Sequence, residues 1–316
     1  MAHVVVIGGG ITGLAAAYEL EKHTIPYTLI EVKKRLGGSI ETISCNDFLF
    51  DSGEMTHTLT DTAWMTDYLA HIGLSDSYFF TQNDQLVFHR GTGALVDALS
   101  AKITAPIMHR MAVSTLGMLD KDRFGICMEN GLLLDAKAVI VTASAKHAER
   151  LFYPLTPPIS HLLLDYRYDT ITRLSFGYAH NTPISTTPPD DSPISTVQHI
   201  TQGERMPIGG QIAQVALRIA EHDLPQDPIG EVAMAMGWGI NPDADHIATW
   251  ETSDPCMWRE DKHPATQTTI QHLLPNGVAL AGSDYIPTNR PSRLDERLRM
   301  GIQASQRILA YLNQTK

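Results

Sequence analysis

The chain of 316 residues has no apolar run of the roughly 18 residues that a transmembrane helix needs, so no integral membrane segment is expected. Basic residues are in the minority. Twenty-four lysines and arginines face 35 acids, for a net charge of −11 and a pI near 5.6, which argues against nucleic acid and anionic membrane surfaces as partners. Cysteine is scarce: Cys45, Cys127 and Cys256 are odd in number and far apart, and read as free thiols in a reducing compartment. The 14 histidines include no H-E-x-x-H or H-x3-H pair. Asp243, Asp245 and His246 follow Pro242 in a turn-like stretch, so no metal site is expected. Lysine is absent between Lys146 and Lys262. The N-terminal Met1-Ala-His3 carries no basic n-region and leads directly into an apolar run, so no signal peptide and a cytoplasmic location are expected.

What is present begins with that run. His3-Val-Val-Val-Ile7 reads as a strand, Gly8-Gly9-Gly10-Ile11-Thr12-Gly13 as a glycine turn, and Leu14-Ala-Ala-Ala-Tyr-Glu-Leu20 as a helix. Gly8, Gly10 and Gly13 have the G-x-G-x-x-G spacing of a dinucleotide site. Gly8 permits the tight turn, Gly10 leaves room for a pyrophosphate, and Gly13 lets the helix sit close on the strand. The opening residues Ile11 and Thr12 present helix N-terminal N–H groups to the phosphates. Thr28-Leu-Ile30 reads as a second strand ending at Glu31, where an acid would accept hydrogen bonds from a ribose. After it come Lys33, Lys34, Arg35, the Gly37-Gly38 doublet and Ser39. Arg35 and the backbone around Gly38 could reach the far side of a pyrophosphate, or the basic run could be a solvated loop.

Together, Gly8-Gly-Gly-Ile-Thr-Gly13-Leu-Ala-Ala-Ala-Tyr and Glu31…Arg35-Leu-Gly-Gly38 resemble the FAD-dependent amine oxidase and protoporphyrinogen oxidase superfamily, the protoporphyrinogen oxidase branch most closely. Phe50-Asp-Ser-Gly53 resembles the step after which the family's backbone runs close to the flavin, which implicates Glu54 and Met55. Phe88-His-Arg-Gly-Thr-Gly93 is similar to its next glycine turn. Met111-Ala-Val113 and Leu132–Val141 resemble the segment that returns to the dinucleotide sheet, with Val113 where the family holds the adenine through its backbone. Val278-Ala-Leu-Ala-Gly282-Ser283-Asp284 and Leu294…Gly301 look like the closing strand and helix at the flavin end. The resemblance covers most of residues 1–150 and 247–316.

It implies an α/β fold. An FAD-binding, Rossmann-like domain of the glutathione-reductase type would comprise 1–56, 90–150 and 273–316. A smaller, discontinuous α+β substrate domain would comprise 57–89 and 151–272, trimmed because the chain is short for this superfamily. Three departures stand out. Ser39 follows the glycine doublet where a basic residue is usual, Ser283 precedes the acid of the closing strand, and Asp295 and Glu296 open the last helix. Those two carboxylates would be unfavourable near the cofactor unless Arg293, Arg297 or Arg299 paired with them.

Periodicity adds local expectations. A helix spans about 61–72 and stops at Gly73, and a short strand covers 86–89. A further helix follows from Gly93 to about Ile103, and an alternating strand runs from Ile171 to Tyr178. Gln211–Ile219 fits either strand or helix. The echo of Pro183-Ile-Ser-Thr186 in Pro193-Ile-Ser-Thr196 reads as two sides of a loop. Val232–Trp238, with Met234 and Met236, reads as core.

No catalytic residue can be named. Amine oxidases of the superfamily commonly place a lysine near flavin N5 on a substrate-lobe strand, and Arg173 stands there. Arginine stays protonated and cannot act as a base, but it can grip a carboxylate, or it can simply brace the lobe. Trp250-Glu-Thr-Ser-Asp-Pro255 resembles the family's W-x-x-x-x-P turn. After it, Met257 and Trp258 would wall an apolar substrate, while Trp250 itself is core or substrate contact.

The expected protein is an oxidoreductase with non-covalent FAD, an oxidase or dehydrogenase. It would move a hydride from a C–H or C–N bond of a small, carboxylate-bearing or hydrophobic substrate to flavin N5, with O2 or another acceptor reoxidising the flavin. Two readings stand beside it: a catalytically weak FAD-binding or electron-relay protein, and an NAD-dependent dehydrogenase using the same fingerprint.

Overall fold

The computed structural model describes residues 2–190, 192–239, 241–255 and 263–314. Its larger sheet grows from β1 (Ala2–Ile7), whose Val4, Val5 and Val6 are fully buried. Burial on both faces is what a continuous β-branched run in a parallel sheet requires. β1 lies between β2 (Tyr27–Glu31) and β10 (Leu133–Val141), parallel to both, with Val6 opposite Leu29 and Ile140. β7 (Ile107–His109) extends the sheet beyond β2. Between β2 and β7 the chain forms two short antiparallel pairs, β3 (Thr42–Cys45) with β4 (Phe48–Asp51) and β5 (Tyr78–Phe80) with β6 (Leu86–Phe88).

The far edge of β10 is divided. Its first half pairs antiparallel with β9 (Arg123–Met128) and thence β8 (Val113–Asp120), and its second half pairs parallel with β15 (Val278–Leu280). The chain leaves β1 between neighbours reached in opposite directions. Its C-terminal end is therefore a topological switch point, where open α/β sheets place their ligands.

α1 (Ile11–Lys22) covers this sheet, and its Ala15, Ala16 and Ala17 are fully buried. Small side chains let α8 (Leu294–Gln314) pack closely on it. A Cβ on Gly301 would lie 2.2 Å from the Thr12 carbonyl, and Ser305 Oγ donates to the Ala16 carbonyl at 2.8 Å. α2 (Thr62–Ile72) forms as expected, with Asp61 accepting from the Trp64 N–H at 3.0 Å and Gly73 ending it at φ 91°. α3 (Gly93–Ser100) is shorter than expected, ending near Ser100.

The smaller sheet has the order β12 (Ile194–Ile200), β13 (Gln211–Leu217), β11 (Tyr168–Tyr178) and β14 (Ala244–Pro255), all antiparallel. Gln211–Leu217 is thus a strand, because both its edges are paired. Trp250–Pro255 is no turn either: it continues β14 along β11 as far as Tyr168 opposite Pro255. α6 (Pro228–Ala235) closes one face of this sheet, with Val232, Met236 and Trp238 packed on Leu174 and Phe176. Met234, expected in the core, is 76% exposed on the opposite side of that helix.

Packing shifts three segments away from the lobe in which they were expected. Leu59, Met65, Leu69, Ile72, Leu86 and Phe88 of residues 57–89 share the core of α1, α3 and α8. Ile159 and Leu163 of α5 (Pro157–Leu164) and Ile270 of α7 (His263–Leu273) join α4 (Ala145–Phe152) on the other face of the larger sheet. These helices bury their apolar faces where the larger sheet offers area, while the second sheet packs on α6 and, through Ile200, Ile212 and Ala244, on Phe48, Phe50 and Val87. Among the described residues, no helix is long and apolar enough to cross a membrane.

Candidate functional site

The glycine turn has the backbone that its spacing implied. Gly8 takes φ +106°, open only to glycine at low strain, and Gly10 is the N-cap of α1. A Cβ on Gly13 would lie 1.9 Å from the Gly8 carbonyl oxygen, so helix and strand touch there. Gly10 differs: its Cβ would meet only the Gly38 Cα, at 3.9 Å. Open space in front of Gly10 lies beside the first turn of α1, where Ile11 and Thr12 begin a helix whose opening N–H groups lack intrahelical partners.

The doublet is drawn onto this turn. Gly37 N–H donates to the Gly9 carbonyl at 2.7 Å, and Gly10 bridges Gly37 in a parallel pair. Glu31, buried beneath, accepts from Gly9 N–H at 2.6 Å and Lys33 N–H at 2.7 Å. A carboxylate has about four acceptor sites, so it can still receive ribose hydroxyls. Arg35 departs from its expected role. Its guanidinium donates to the carbonyls of Leu36, Gly38 and Ile40 and pairs with Glu41 at 2.7 Å, so it closes the loop upon itself. Val113 opens β8 two residues after Met111, whose N–H donates to the Glu31 carbonyl at 3.1 Å.

Two adjoining cavities run from this turn to the smaller sheet, sharing Ser39 and Arg297. One, of about 280 Å³, is bordered by Gly38, Thr142, Trp250, Gly282 and Ser283. The other, of about 140 Å³, is bordered by Glu54, His57, Arg173 and Leu294. Gly282 takes φ +147° as the chain turns out of β15. Asp284 also borders the larger cavity, but its carboxylate is otherwise engaged. It accepts from Ala145 N–H at 2.8 Å, Ser283 Oγ at 2.8 Å and the Tyr168 hydroxyl, fixing the start of α4. Burial raises its pKa above the usual carboxylate range against those hydrogen bonds and the charge of Arg297.

Arg173 faces the cleft because strand alternation demands it. Leu174, Phe176 and Tyr178 of β11 occupy the core of the smaller lobe, so Ile171, Arg173 and Ser175 point the other way. Its side chain is 10% exposed and lies 4.0 Å from Glu54. Burial raises the Glu54 pKa, but the charges of Arg297 and then Arg173 hold the carboxyl below its ordinary value. Trp250 lines the larger cavity instead, its indole N–H donating to the Ser52 carbonyl at 2.9 Å, with the Lys33 ammonium 4.5 Å from the ring centroid. The Met55 side chain is buried among Phe48, Phe50 and Ile200, and its N–H donates to Gln198 at 2.9 Å. Met257 and Trp258 lie outside the described residues.

The acids that open α8 are neutralised by means the sequence did not suggest. Asp295 accepts from the Thr60 and Asp61 backbone N–H groups, at 3.1 and 3.0 Å. Glu296 pairs with Arg290, not with Arg293, Arg297 or Arg299 side chains. Arg297 instead borders both cavities, held by the Ser292 hydroxyl at 2.9 Å and carbonyl at 2.7 Å. Sequence reasoning also missed His57, buried three residues after Glu54 on the cavity wall. Its position just beyond the Asp51-Ser-Gly53 step was the available signal.

Residues 6–72 match the model of the NAD(P)-binding Rossmann-like domain. A mitochondrial protoporphyrinogen oxidase of Nicotiana tabacum is 34% identical over 97 residues, 29% of this chain and 19% of that protein. A coproporphyrinogen III oxidase of Bacillus subtilis is 44% identical over 57 residues, 16% of this chain and 12% of that one. The matched parts are thus less than a fifth of these relatives' length. Among solved structures, a candidate protoporphyrinogen oxidase of Exiguobacterium sp. 255-15 superposes with a TM-score of 0.81 at 13% identity, over 99% of both chains. A putrescine oxidase superposes at 0.77 with 12% identity, over 97% of this chain and 98% of that one. The fold is therefore that of these two solved oxidases.

Proposed function

We propose that the chain binds FAD in the elongated cleft and is an FAD-dependent oxidoreductase. It would take a hydride from a C–H bond, such as that of a carbon bearing nitrogen, in a small substrate that carries a carboxylate. The observation that carries this reading is that two adjacent cavities, sharing Ser39 and Arg297 on their walls, extend from Gly38 beside the glycine turn to Arg173. The residues suit such a ligand: open space before Gly10 for a pyrophosphate, α1 N–H groups to meet its charge, and Glu31 with acceptor capacity for a ribose. The relatives' names supply the flavin chemistry, since they include a flavin-containing monoamine oxidase of Dictyostelium discoideum and L-amino acid oxidases of Crotalus.

Bound FAD supplies the hydride acceptor, and the protein supplies position and electrostatics. Arg297 sits at the junction and offers a fixed positive charge to phosphate or flavin. Arg173 offers a guanidinium fork to a substrate carboxylate. To do so it must share its charge with Glu54, which an anionic substrate would push aside. O2 or another acceptor completes the cycle, and a cytoplasmic setting accords with the acidic surface and few cysteines.

Titration of purified protein with FAD, followed by an anaerobic screen of carboxylate-bearing and apolar amines and alcohols, tests the reading. Flavin bands that bleach with a substrate support it. Flavin bands that no substrate bleaches favour an electron-relay protein, a reading for which the smallness of the 140 Å³ cavity speaks. Uptake of NAD in place of FAD overturns it.

A further inference from the structure

An ion pair and two hydrogen bonds run behind the wall of the smaller cavity, from Arg205 to Asp51 and on through Thr92 to His57. Arg205, fully buried, lies 2.8 Å from Asp51 Oδ2, so Asp51 is an ion-paired carboxylate that can only accept. The Thr92 N–H donates to it at 3.0 Å, and the Thr92 hydroxyl oxygen lies 2.9 Å from its Oδ2. The same hydroxyl lies 3.4 Å from the Glu54 carbonyl and 3.0 Å from His57 Nε2. Two of its three neighbours are obligate acceptors, so the single hydroxyl proton goes to the shorter of them, Asp51. His57 Nε2 must then carry a proton and donate to Thr92. In a neutral ring this leaves Nδ1 bare.

The ring is neutral and fixed. Burial, against the pull of Glu54 and Asp51 and with help from Arg297 and Arg205, pushes its pKa down to about 4. The His57 backbone exchanges hydrogen bonds with Leu86, each 2.9 Å, and the ring meets Phe88 edge-on at 6.3 Å between centroids. Nδ1 faces Glu54 Oε2 at 3.9 Å across the cavity wall. Two acceptors therefore face one another with room for an incoming N–H or O–H.

We propose that His57 Nδ1 is the proton acceptor of the cavity, its tautomer set by Thr92 and Asp51, and that Glu54 is the group through which the proton leaves. The proposal rests on the flavin reading above. Oxidation of a carbon bearing an N–H or O–H removes a hydride from carbon, which FAD accepts, and leaves one proton on the heteroatom. The electrons of that N–H or O–H bond become the new C=N or C=O bond, and its proton passes to Nδ1. Glu54, 44% exposed, is the neighbouring carboxylate with access to water, and a ring that holds a proton weakly returns quickly to its bare form. Asp51 and Thr92 are positioning residues.

The test is NMR of protein carrying 15N-labelled histidine, at neutral pH with and without FAD, with the His57 signals assigned by their loss in His57→Gln. A protonated Nε2 and bare Nδ1 are expected, as is a shift toward mixed tautomers in Thr92→Val that Thr92→Ser reverses. A protonated Nδ1, or a Thr92→Val spectrum like the parent's, overturns the tautomer. With FAD and a substrate from the screen, His57→Gln should slow flavin reduction by roughly 100-fold or more. An unchanged rate overturns the proton role. Failure of the flavin reading shows separately, as protein that takes up no FAD although its His57 tautomer is as stated.

Discussion

The two ends of the cleft are built by different means. At the glycine turn the backbone does the work, within one continuous stretch from Gly8 to Ser39: carbonyls and N–H groups of neighbouring turns approach because side chains are missing. At the other end, the Glu54–His57 stretch, Arg173 and Arg297 come from three separate parts of the chain, and charge decides their arrangement. Backbone geometry at one end tolerates no added atom in the wrong place. Side-chain electrostatics at the other end tolerates substitution but changes what is bound.

The largest expected effect separates two glycines of the same motif. Gly13→Ala places a Cβ against the Gly8 carbonyl, which is backbone and cannot yield, so loss of about 4 kcal/mol or more is expected, seen as insoluble or unfolded protein. Gly10→Val enters open space and should leave the apo fold intact, but the protein should bind no FAD and lose the thermal stabilisation that FAD gives. A yellow Gly10→Val protein would remove the glycine turn from the proposed site.

His57 sharpens the comparison through pH. Its folded pKa lies near 4 against an unfolded value of 6.5, so the unfolded chain takes the proton first as pH falls. Its contribution is fully present above pH 6.5 and drains away between 6.5 and about 4, by at most about 1.4 kcal/mol for each step of one in pH. Chemical unfolding across that window should show a shallower loss in His57→Gln than in the parent.

Glu31→Ala should weaken FAD by about 1.5–3 kcal/mol, or roughly ten- to a hundredfold, with an unaltered flavin spectrum. Titration of the apo-protein measures it, and unchanged affinity would move the ribose elsewhere. Smallest, and confined to the other end, Arg173→Lys keeps the charge but loses the fork. A carboxylate substrate should bind about tenfold more weakly at constant FAD content, with KM rising more than kcat falls. If Arg173→Lys and Arg173→Ala lower the melting temperature and leave KM alone, Arg173 braces the lobe.

The glycine-turn end was legible because its signal is local: β1, the turn, α1 and Glu31 lie within the first 31 residues, and each needs only its own φ, ψ or volume to be recognised. α2 was legible for the same reason, through Asp61 and Gly73. Legibility failed where long-range contacts decide. Gln211–Leu217 fits two periodicities until its edges are paired, and nothing local says that Met55 packs among Phe48, Phe50 and Ile200. Asp295 looked unfavourable until two backbone N–H groups from residues 60 and 61 met it.

By itself the sequence determined the glycine turn, the parallel strands around it and the alternation that turns Arg173 away from the core, because these follow from residue volume and period. Tertiary structure alone decided which charges share the cavity and which nitrogen of His57 is bare. The tautomer follows from Arg205, 148 residues beyond His57, ion-pairing with Asp51 in a buried space where an unpaired polar group is costly.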